Sequence, residues 1–415
     1  MGFTKIGLSD IVLRGVQASG YTIPTEIQLR AIPLALAGRD LICCAPTGTG
    51  KTAAFVLPIL EHLLKLHASD RRHHFPKVLA LTPTRELAHQ IDHSVLNYGR
   101  FAGVRSAPIY GGVGMGNQIS ELQRGIDIVI ATPGRLLDHM QRRTIDLSRV
   151  EILVLDEADR MYDMGFIHDV RRIISHVPKT RQTMLFSATM SSSIKSLVSD
   201  ILKNPELIEI APNSPVKTVD QFFVMAPQNY KLPILYDIIV HEEVESMLVF
   251  SRTKHGADRI AKRLLQQGVR TAAIHANRTQ GQRRQALEGF KRGQFKVLVA
   301  TDIAARGIDI VGVSHVVNYD VPAFAEDYVH RIGRTGRANH SGIAITLVSF
   351  NEVPHIRRIE ALVGRPIKID RYEAVPIPDN EALLISTMSK PSAERKGQGR
   401  GLRGPRKYMY GRRGK

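Results

Sequence analysis

The sequence predicts an α/β protein with two domains, each a parallel β-sheet with helices on both faces, followed by a basic tail. Three observations predict this fold. The chain has 415 residues, more than one hydrophobic core usually supports. Short apolar runs typical of buried strands alternate with helical patterns along most of its length. The alternation lapses near residue 210 and then resumes.

The first domain is assigned to residues 1–207. Helical spacing in residues 3–38 precedes the first apolar run, Leu41–Cys44. Because helices and not tight turns separate the later runs, the strands are expected to pair in parallel. Those later strands are predicted at Val78–Leu81, 126–130, Ile152–Leu155 and 184–186.

The second domain is assigned to residues 219–389, after a linker at 208–218 that is rich in turn-forming residues. Its strands are predicted at 221–225, Met247–Phe250, Thr271–Ile274, Val297–Ala300, 315–319 and 343–348. Residues 390–415 are predicted to be a disordered basic tail, since they contain too few aliphatic side chains to offset the entropy of ordering. Residues 391–415 hold nine Lys and Arg and one Glu, a net charge of +8.

The composition favours a polyanionic partner. The chain has 57 Lys and Arg against 39 Asp and Glu, a net charge of +18 and a pI near 10.0, which suits nucleic acid or an anionic membrane surface. The two cysteines, Cys43 and Cys44, lie in a predicted buried strand, so a reducing compartment, the cytoplasm, is expected. No apolar run approaches 18 residues, so no membrane span is expected.

Residues 45–52, Ala-Pro-Thr-Gly-Thr-Gly-Lys-Thr, follow the first strand and open a helix. Such a loop aims several backbone N–H groups at one point and suits a triphosphate. Lys51 is expected to reach the β- and γ-phosphates, and the Thr52 hydroxyl to bind Mg²⁺. In the second half, the strand Met247–Phe250 leads into a segment without Gly-Lys-Thr, so a single nucleotide site is predicted.

The strand Ile152–Leu155 is followed directly by Asp-Glu-Ala-Asp at 156–159. Ligands of open α/β sheets bind at the carboxyl ends of the strands, which is where these acids are placed. Asp156 is predicted to hold Mg²⁺, and Glu157 to orient and deprotonate an attacking water.

The order of these motifs resembles the DEAD-box family of ATP-dependent RNA helicases, in superfamily 2. The resemblance spans residues 3–364 and implies two tandem RecA-like domains. Residues 274–284 and the short tail lean toward the bacterial RhlE-like branch. Besides 45–52 and 156–159, the matching motifs lie at 83–88, 111–112, 132–135, 187–189, 300–309 and 330–337.

The resemblance implies an ATP site with an adenine-recognition motif at residues 20–28. The Gln28 amide can accept a hydrogen bond from the adenine amino group and donate one to N7, which selects ATP. Phe3 is the upstream aromatic residue of this motif, and Asp309 takes the place of a ribose contact. The implied nucleotide-binding residues are Phe3, Tyr21, Thr25, Gln28, Thr47, Gly48, Thr49, Gly50, Lys51, Thr52, Asp309, Arg334 and Arg337.

Arg334 and Arg337 occupy the places of the family's arginine fingers, which suit γ-phosphate oxygens. Because they lie beyond the linker from Lys51, hydrolysis is expected to need closure of the two domains. The implied catalytic residues are Lys51, Asp156, Glu157, Asp159, Ser187, Thr189, His330, Arg334 and Arg337.

An RNA-binding set is also implied, and its side chains suit phosphate and sugar rather than base edges, so binding independent of sequence is expected. In the first domain it comprises Pro83, Thr84, Arg85, Gly112, Thr132, Pro133 and Arg135. In the second it comprises Arg252, Gln280, Arg283, Thr301, Arg306 and Gly307.

The predicted function is an RNA-dependent ATPase and RNA helicase that locally unwinds short duplexes or remodels RNA–protein complexes. A monomer is expected, with ribonucleoprotein or RNA-decay complexes as partners and no membrane association. Two alternatives stay open from the sequence: an RNA-annealing chaperone that acts through the basic tail, and a DNA helicase with the same fold.

Overall fold

The computed structural model describes residues 2–46, 48–69, 75–210, 219–302, 310, 312–336 and 342–375. Contacts within the chain divide it into two compact units, Met1–Pro212 and Asn213–Lys415. Within these described ranges, each unit contains one seven-stranded sheet in which the neighbouring strands pair in parallel. The predicted fold class is therefore confirmed. The tail predicted at 390–415 lies outside the described residues.

The first unit begins with a 3₁₀ helix, Phe3–Lys5, and alternates helices and strands thereafter. Its sheet has the strand order β3-β4-β2-β5-β6-β1-β7. The elements are α1 (Asp10–Ala18), α2 (Glu26–Leu36), β1 (Leu41–Cys44), α3 (Lys51–Ser69), β2 (Val78–Leu81), α4 (Arg85–Tyr98), β3 (Ser106–Ile109), α5 (Met115–Gln123), β4 (Ile128–Ala131), α6 (Pro133–Gln141), β5 (Ile152–Leu155), α7 (Ala158–Asp163), α8 (Ile167–Ile174), β6 (Gln182–Ser187), α9 (Ser192–Ile201) and β7 (Glu206–Glu209).

The central strands of this sheet are covered on both faces. Successive strand residues point to opposite sides, so each strand contributes to two hydrophobic clusters. In β5, Ile152 and Val154 pack into one cluster and Leu153 and Leu155 into the other. Nearly continuous apolar strands are what such a two-sided core requires, and they explain why periodicity located these strands in the sequence.

The second unit has the sheet order β10-β11-β9-β12-β13-β8-β14. Its elements are β8 (Val219–Met225), α10 (Lys231–His241), β9 (Met247–Phe250), α11 (Lys254–Gln266), β10 (Thr271–Ile274), α12 (Gln280–Lys291), β11 (Val297–Ala300), β12 (His315–Asn318), α13 (Ala325–Ile332), β13 (Gly342–Val348), a 3₁₀ helix (Phe350–Glu352), α14 (Val353–Val363) and β14 (Ile369–Arg371).

The two sheets have the same strand order when each is numbered from its own first strand. The counterpart of β1 is therefore β8, and β9 is the counterpart of β2. The sequence alone indicated the segment after Met247–Phe250 as the counterpart of the phosphate loop. That pairing was wrong, because Met247–Phe250 is β9, the counterpart of β2 and not of β1. The correct counterpart is residues 226–230, between β8 and α10, which also lack Gly-Lys-Thr.

Three strands were not predicted from the sequence: β3, β7 and β14. All three lie at edges of their sheets. An edge strand is covered less completely than a central one, so its sequence need not be a continuous apolar run. β7 is Glu-Leu-Ile-Glu, and residues 208 and 209, assigned to the linker from the sequence, pair with β1 in this strand.

Across the described ranges, no helix is both long enough and apolar enough to cross a membrane.

Candidate functional site

The predicted nucleotide residues of the first unit follow three neighbouring strands. β1 leads into the loop at 45–50, β5 into Asp156 and Glu157, and β6 ends at Ser187. Because these strands are adjacent in the order β5-β6-β1, their carboxyl ends form one side of the sheet edge. The fold thus brings together segments that lie more than 100 residues apart in sequence.

The phosphate loop closes back on its own start. Lys51 is the first residue of α3, and its Nζ donates to the Ala45 carbonyl oxygen at 2.6 Å. The Thr49 hydroxyl donates to the Pro46 carbonyl oxygen at 2.9 Å. The Lys51 side chain is mostly buried, so its charge lies inside the loop. Thr47 lies outside the described residues.

Gln28 joins the adenine-recognition segment to the phosphate loop. Its Oε1 accepts from the Thr25 backbone N–H at 3.0 Å, and its Nε2 donates to the Gly50 carbonyl oxygen at 3.1 Å. These two bonds orient the amide, and its second N–H and second lone pair are the groups that adenine reading requires. Gly50 has φ +89°, and a Cβ there would lie 2.4 Å from Gln28 Nε2, so only glycine fits.

The two aromatic candidates for adenine stacking differ in exposure. Phe3 is 5% exposed and packs in the core of the first unit, whereas Tyr21 is 48% exposed and contacts Tyr98 edge-on at 5.8 Å between ring centroids. Tyr21 therefore has a ring face available to a purine. The assignment of Phe3 to the nucleotide site stays a prediction, with less geometric support than that of Tyr21.

Asp156 is a buried carboxyl group beside other acids. Burial, and then the negative charge of Glu157, raise the pKa of Asp156 to about 7, and the charge of Lys51 opposes this shift. A divalent cation would offset the repulsion, and the half-buried Thr52 hydroxyl at the start of α3 offers a second oxygen. In the described ranges no group of three or more His, Cys, Asp or Glu side chains could hold a metal ion. The pair fits Mg²⁺, which binds through few protein ligands plus phosphates and water.

Asp159 connects the strand β5 motif to the strand β6 motif. Its Oδ2 accepts from the backbone N–H groups of Ala188 and Thr189 at 2.9 and 3.0 Å and from the Thr189 hydroxyl at 3.2 Å. The Ser187 hydroxyl donates to the Thr189 carbonyl oxygen at 2.7 Å. Asp159, Ser187 and Thr189 therefore form one hydrogen-bonded unit, and their assignment to catalysis stays a prediction.

The predicted RNA residues of the first unit occupy the other side of the same sheet edge. Pro83, Thr84 and Arg85 follow β2, Gly112 follows β3, and Thr132, Pro133 and Arg135 follow β4. These strands are adjacent in the order β3-β4-β2. The edge thereby carries the predicted RNA residues on one side and the predicted nucleotide residues on the other.

Arg85 lies against the glycine loop that follows β3. A Cβ at Gly112, which has φ +82°, would lie 2.1 Å from Arg85 Nη1. Thr84 caps α4 by accepting from the Leu87 N–H at 3.3 Å. Glycine at 112 thus allows the Arg85 guanidinium to cover the loop backbone.

Arg135 is held inside a polar network that the sequence did not predict. It donates to Gln118 Oε1 and to the Val113 carbonyl oxygen, each at 3.0 Å, and Gln118 Nε2 donates to the Tyr110 carbonyl oxygen at 3.0 Å. His139 contacts the same Gln118 Oε1 at 3.1 Å. Burial, and then the charge of Arg135, lower the pKa of His139. The network fixes the loop after β3.

The second unit places its predicted RNA residues in the same way. Arg252 follows β9, Gln280 and Arg283 open α12 after β10, and Thr301 follows β11, so they lie beside β10-β11-β9. The Arg252 side chain is 51% exposed, whereas Arg283 and Thr301 are mostly buried. Arg306 and Gly307 lie outside the described residues.

The predicted catalytic residues of the second unit follow β12. His330 lies in α13, and Arg334 lies just beyond it and is mostly buried. Arg337 and Asp309 lie outside the described residues.

Arg331, which the sequence placed in a motif without a role, forms a two-point ion pair in this region. It donates to both Asp302 oxygens at 2.7 Å, and its guanidinium lies 5.0 Å from the centroid of the Phe250 ring. Its position within the motif at 330–337 was the available signal.

Comparisons with known proteins agree with these motifs. The family model described as DEAD/DEAH box helicase matches residues 25–197, and the helicase conserved C-terminal domain matches residues 230–339. ATP-dependent RNA helicase CshA from Limosilactobacillus reuteri is 43% identical over 363 residues, which are 87% of this chain and 72% of that protein. DEAD-box ATP-dependent RNA helicase CshA from Bacillus cereus is 42% identical over 373 residues, 90% of this chain and 70% of that protein.

Solved structures show the same fold. S. cerevisiae Dbp5 bound to RNA and ADP BeF3 matches with a TM-score of 0.79 and 31% identity over 94% of this chain and 99% of that one. A DEAD box protein from Methanococcus jannaschii matches with a TM-score of 0.51 and 35% identity over 90% of this chain and 99% of that one.

The fold and the motif order define an ATP-hydrolysing helicase with two tandem RecA-like domains. The chain belongs to the DEAD-box family of ATP-dependent RNA helicases, as the sequence predicted. The RhlE-like branch stays a prediction.

Proposed function

We propose that the first unit binds ATP and Mg²⁺ with the loops after β1, β5 and β6. Lys51 places its ammonium on the β- and γ-phosphates, and Gln28 and Tyr21 hold the adenine. Asp156 and Thr52 hold the metal, which would neutralise charge on the phosphates. The geometric support is the adjacency of the three loops and the tie from Gln28 to Gly50 at 3.1 Å.

In the proposed reaction, Glu157 accepts a proton from the attacking water. The water oxygen bonds to the γ-phosphorus, and the bond from that phosphorus to the bridging oxygen breaks, leaving its electron pair on ADP. Arg334 and Arg337 stabilise the charge on the transferred group. Since these arginines belong to the second unit and Glu157 to the first, turnover requires both units at one nucleotide.

RNA is proposed to lie along the loops after β3-β4-β2 in the first unit and after β10-β11-β9 in the second. The observation that carries this proposal is the equal placement of the two predicted sets on two sheets of identical order. Backbone N–H groups, hydroxyls and guanidinium groups recognise phosphate and sugar, so we propose binding without sequence preference.

ATP and RNA then favour the same closed arrangement, so each raises the affinity for the other. Closure that bends one strand opens a few base pairs, since stacking is worth about 1.4 kcal/mol per step in a DNA duplex. We therefore propose local unwinding of short duplexes or remodelling of RNA–protein complexes, by a monomer that works in ribonucleoprotein or RNA-decay complexes. A cytoplasmic location suits the free thiols of Cys43 and Cys44.

The test is ATP turnover and strand separation with matched substrates. We expect single-stranded RNA to stimulate ATP hydrolysis more than single-stranded DNA of the same sequence, and ATP to be required for separation of a short RNA duplex. Equal turnover with and without RNA, or equal stimulation by DNA, would contradict the proposal. Strand separation over many cycles by Glu157→Gln would favour the chaperone alternative.

A further inference from the structure

Arg160 lies directly after the Asp-Glu-Ala-Asp motif, in α7, and is 8% exposed. Its Nη1 donates to Glu157 Oε2 in a close ion pair. Its backbone N–H donates to the Glu157 carbonyl oxygen at 3.1 Å and to Asp159 Oδ1 at 3.0 Å. Arg160 therefore contacts Glu157 through both its backbone and its side chain.

The other nitrogens of the Arg160 guanidinium make no comparable contact with the residues that the structure describes. Within the described part of the chain, Arg160 Nε and Nη2 are buried and have no hydrogen-bond partner. Buried donors are normally paired, and an unpaired one costs about 1–3 kcal/mol. Leucine or methionine could fill similar space without this cost. The side-chain contact that explains a charge at this position is the one with Glu157.

Glu157 is itself held in an unusual conformation. Its φ is +51°, in the left-handed region that few residues other than glycine adopt, and its backbone N–H donates to Asp156 Oδ1 at 3.0 Å. Strain of this kind persists where surrounding contacts enforce it, and it concentrates at functional sites. Arg160 supplies the side-chain part of that enforcement.

We propose that Arg160 is a positioning residue for ATP hydrolysis: its guanidinium holds Glu157 Oε2 and orients the carboxylate toward the attacking water. The inference rests on the proposed role of Glu157 as the proton acceptor. Two neighbouring groups thus orient one carboxylate, Asp156 through the backbone and Arg160 through the side chain. Arg160 itself touches neither nucleotide nor water in this proposal.

The experiment measures kcat and KM for ATP at saturating single-stranded RNA. We expect Arg160→Gln to lower kcat about 10-fold with KM within twofold of the unchanged protein, because orientation is lost and binding is not. Arg160→Lys should recover part of kcat, since one donor suffices for Oε2. Arg160→Met serves as a second test of charge loss if Arg160→Gln does not fold. Arg171→Gln, which breaks a surface ion pair with Asp200, is the matched control.

A double variant separates this inference from the proposed function. Glu157→Gln alone should abolish most turnover, and adding Arg160→Gln to it should lower turnover no further, because the group that Arg160 positions is already lost. An unchanged or raised kcat in Arg160→Gln, or an equal further loss in the Glu157→Gln background, overturns the inference. Wild-type turnover by Glu157→Gln would instead overturn the proposed role of Glu157.

Discussion

The first strand of each sheet leads into an equivalent helix that begins with a lysine, and the two lysines have different partners. β1 leads into α3, which begins at Lys51, and β8 leads into α10, which begins at Lys231. Lys51 Nζ donates to a loop carbonyl oxygen at 2.6 Å. Lys231 Nζ is completely buried and donates to Glu352 Oε2 at 2.6 Å and to the Tyr319 carbonyl oxygen at 2.7 Å. The same topology therefore places a lysine at this point twice.

The partner of each lysine decides its use. In the second unit the carboxylate of Glu352 already neutralises Lys231, and residues 226–230 contain no glycine to open a loop for phosphate. Burial lowers the pKa of Lys231, and the charge of Glu352 opposes that shift. In the first unit a glycine loop surrounds Lys51. Lys51 is thus the lysine proposed to meet phosphate, and Lys231 is an ion-paired core residue.

The largest effect is expected from a substitution of Lys51. Lys51→Ala removes the ammonium that stabilises phosphate charge, and we expect ATP turnover to fall about 10²–10³-fold with little change in the unfolding temperature. Steady-state hydrolysis at saturating single-stranded RNA measures this loss. Turnover above one tenth of that of the unchanged protein would show that Lys51 does not serve the phosphates.

At Lys231 we expect a loss of stability instead. Among the described residues, Lys231→Met leaves the buried carboxylate of Glu352 with only Arg252 as an ionic partner, and we expect destabilisation of about 3 kcal/mol. Urea unfolding of the full chain, followed by circular dichroism, measures it.

The control is the double variant Lys231→Met with Glu352→Leu, which removes both buried charges. It should recover most of the lost stability, because the Arg252 side chain is half exposed and tolerates the loss of its partner. A double variant as unstable as Lys231→Met alone would show that packing, or the hydrogen bonds that Glu352 accepts from the Val321 and Ser349 backbone N–H groups, sets the stability rather than charge pairing.

A substitution of Arg85 tests the RNA side proposed for the edge of the first sheet. We expect Arg85→Ala to weaken binding of single-stranded RNA about 10-fold and to reduce the slope of log affinity against log salt by about 1, since a phosphate contact is lost. Fluorescence anisotropy titrations at several salt concentrations measure both quantities. Arg39→Ala is the matched control, because Arg39 is an exposed arginine that precedes β1 at the opposite edge. Equal losses in both variants would reduce the effect to net charge.

The smallest effect concerns pH and the network around His139. The buried ring contacts Gln118 Oε1 and the Thr144 hydroxyl, and a neutral imidazole with its proton on Nε2 satisfies both contacts. Because burial lowers its pKa, the unfolded chain binds a proton below about pH 6.5 that the folded chain does not. Stability should therefore fall with acidification, by at most about 1.4 kcal/mol per pH unit from this group.

The measurement is urea unfolding at pH 7.5 and pH 5.5. His139→Gln cannot take up a proton, so its stability should fall less between the two pH values than that of the unchanged protein. An identical fall in both proteins would assign the pH dependence to other groups.

The sequence predicted the central strands and the motifs, and the reason is physical. Strands buried on both faces must be apolar, and phosphate and metal chemistry requires particular residues at fixed spacing directly after them. The edge strands β3, β7 and β14 were not predicted, because an edge strand is only partly covered by its neighbours and can therefore contain polar residues. The correspondence of β8 with β1 was not recognised from the sequence, because β8 has a mixed sequence and its place in the sheet is visible only in the structure.

The supporting residues of the site were not predictable in the same way. Gln118 and His139 lie in helices, and nothing in their local sequence indicates that they meet Arg135. Lys231 and Glu352 are 121 residues apart and form one ion pair. Arg160 follows a recognised motif, yet only the structure shows that its guanidinium reaches Glu157. Motif matching predicts the residues that act on ligands and misses the residues that hold those side chains in position.

The proposed division of the first sheet edge into an RNA side and a nucleotide side is tested by measuring both affinities in each of two variants. Each ligand is titrated alone, single-stranded RNA without nucleotide and a fluorescent ATP analogue with Mg²⁺ without RNA, so that coupling between the two ligands does not contribute. We predict that Arg85→Ala weakens RNA binding about 10-fold and leaves nucleotide affinity within twofold, whereas Lys51→Ala weakens nucleotide binding about 10-fold and leaves RNA affinity within twofold. A loss of both affinities in either variant would contradict it.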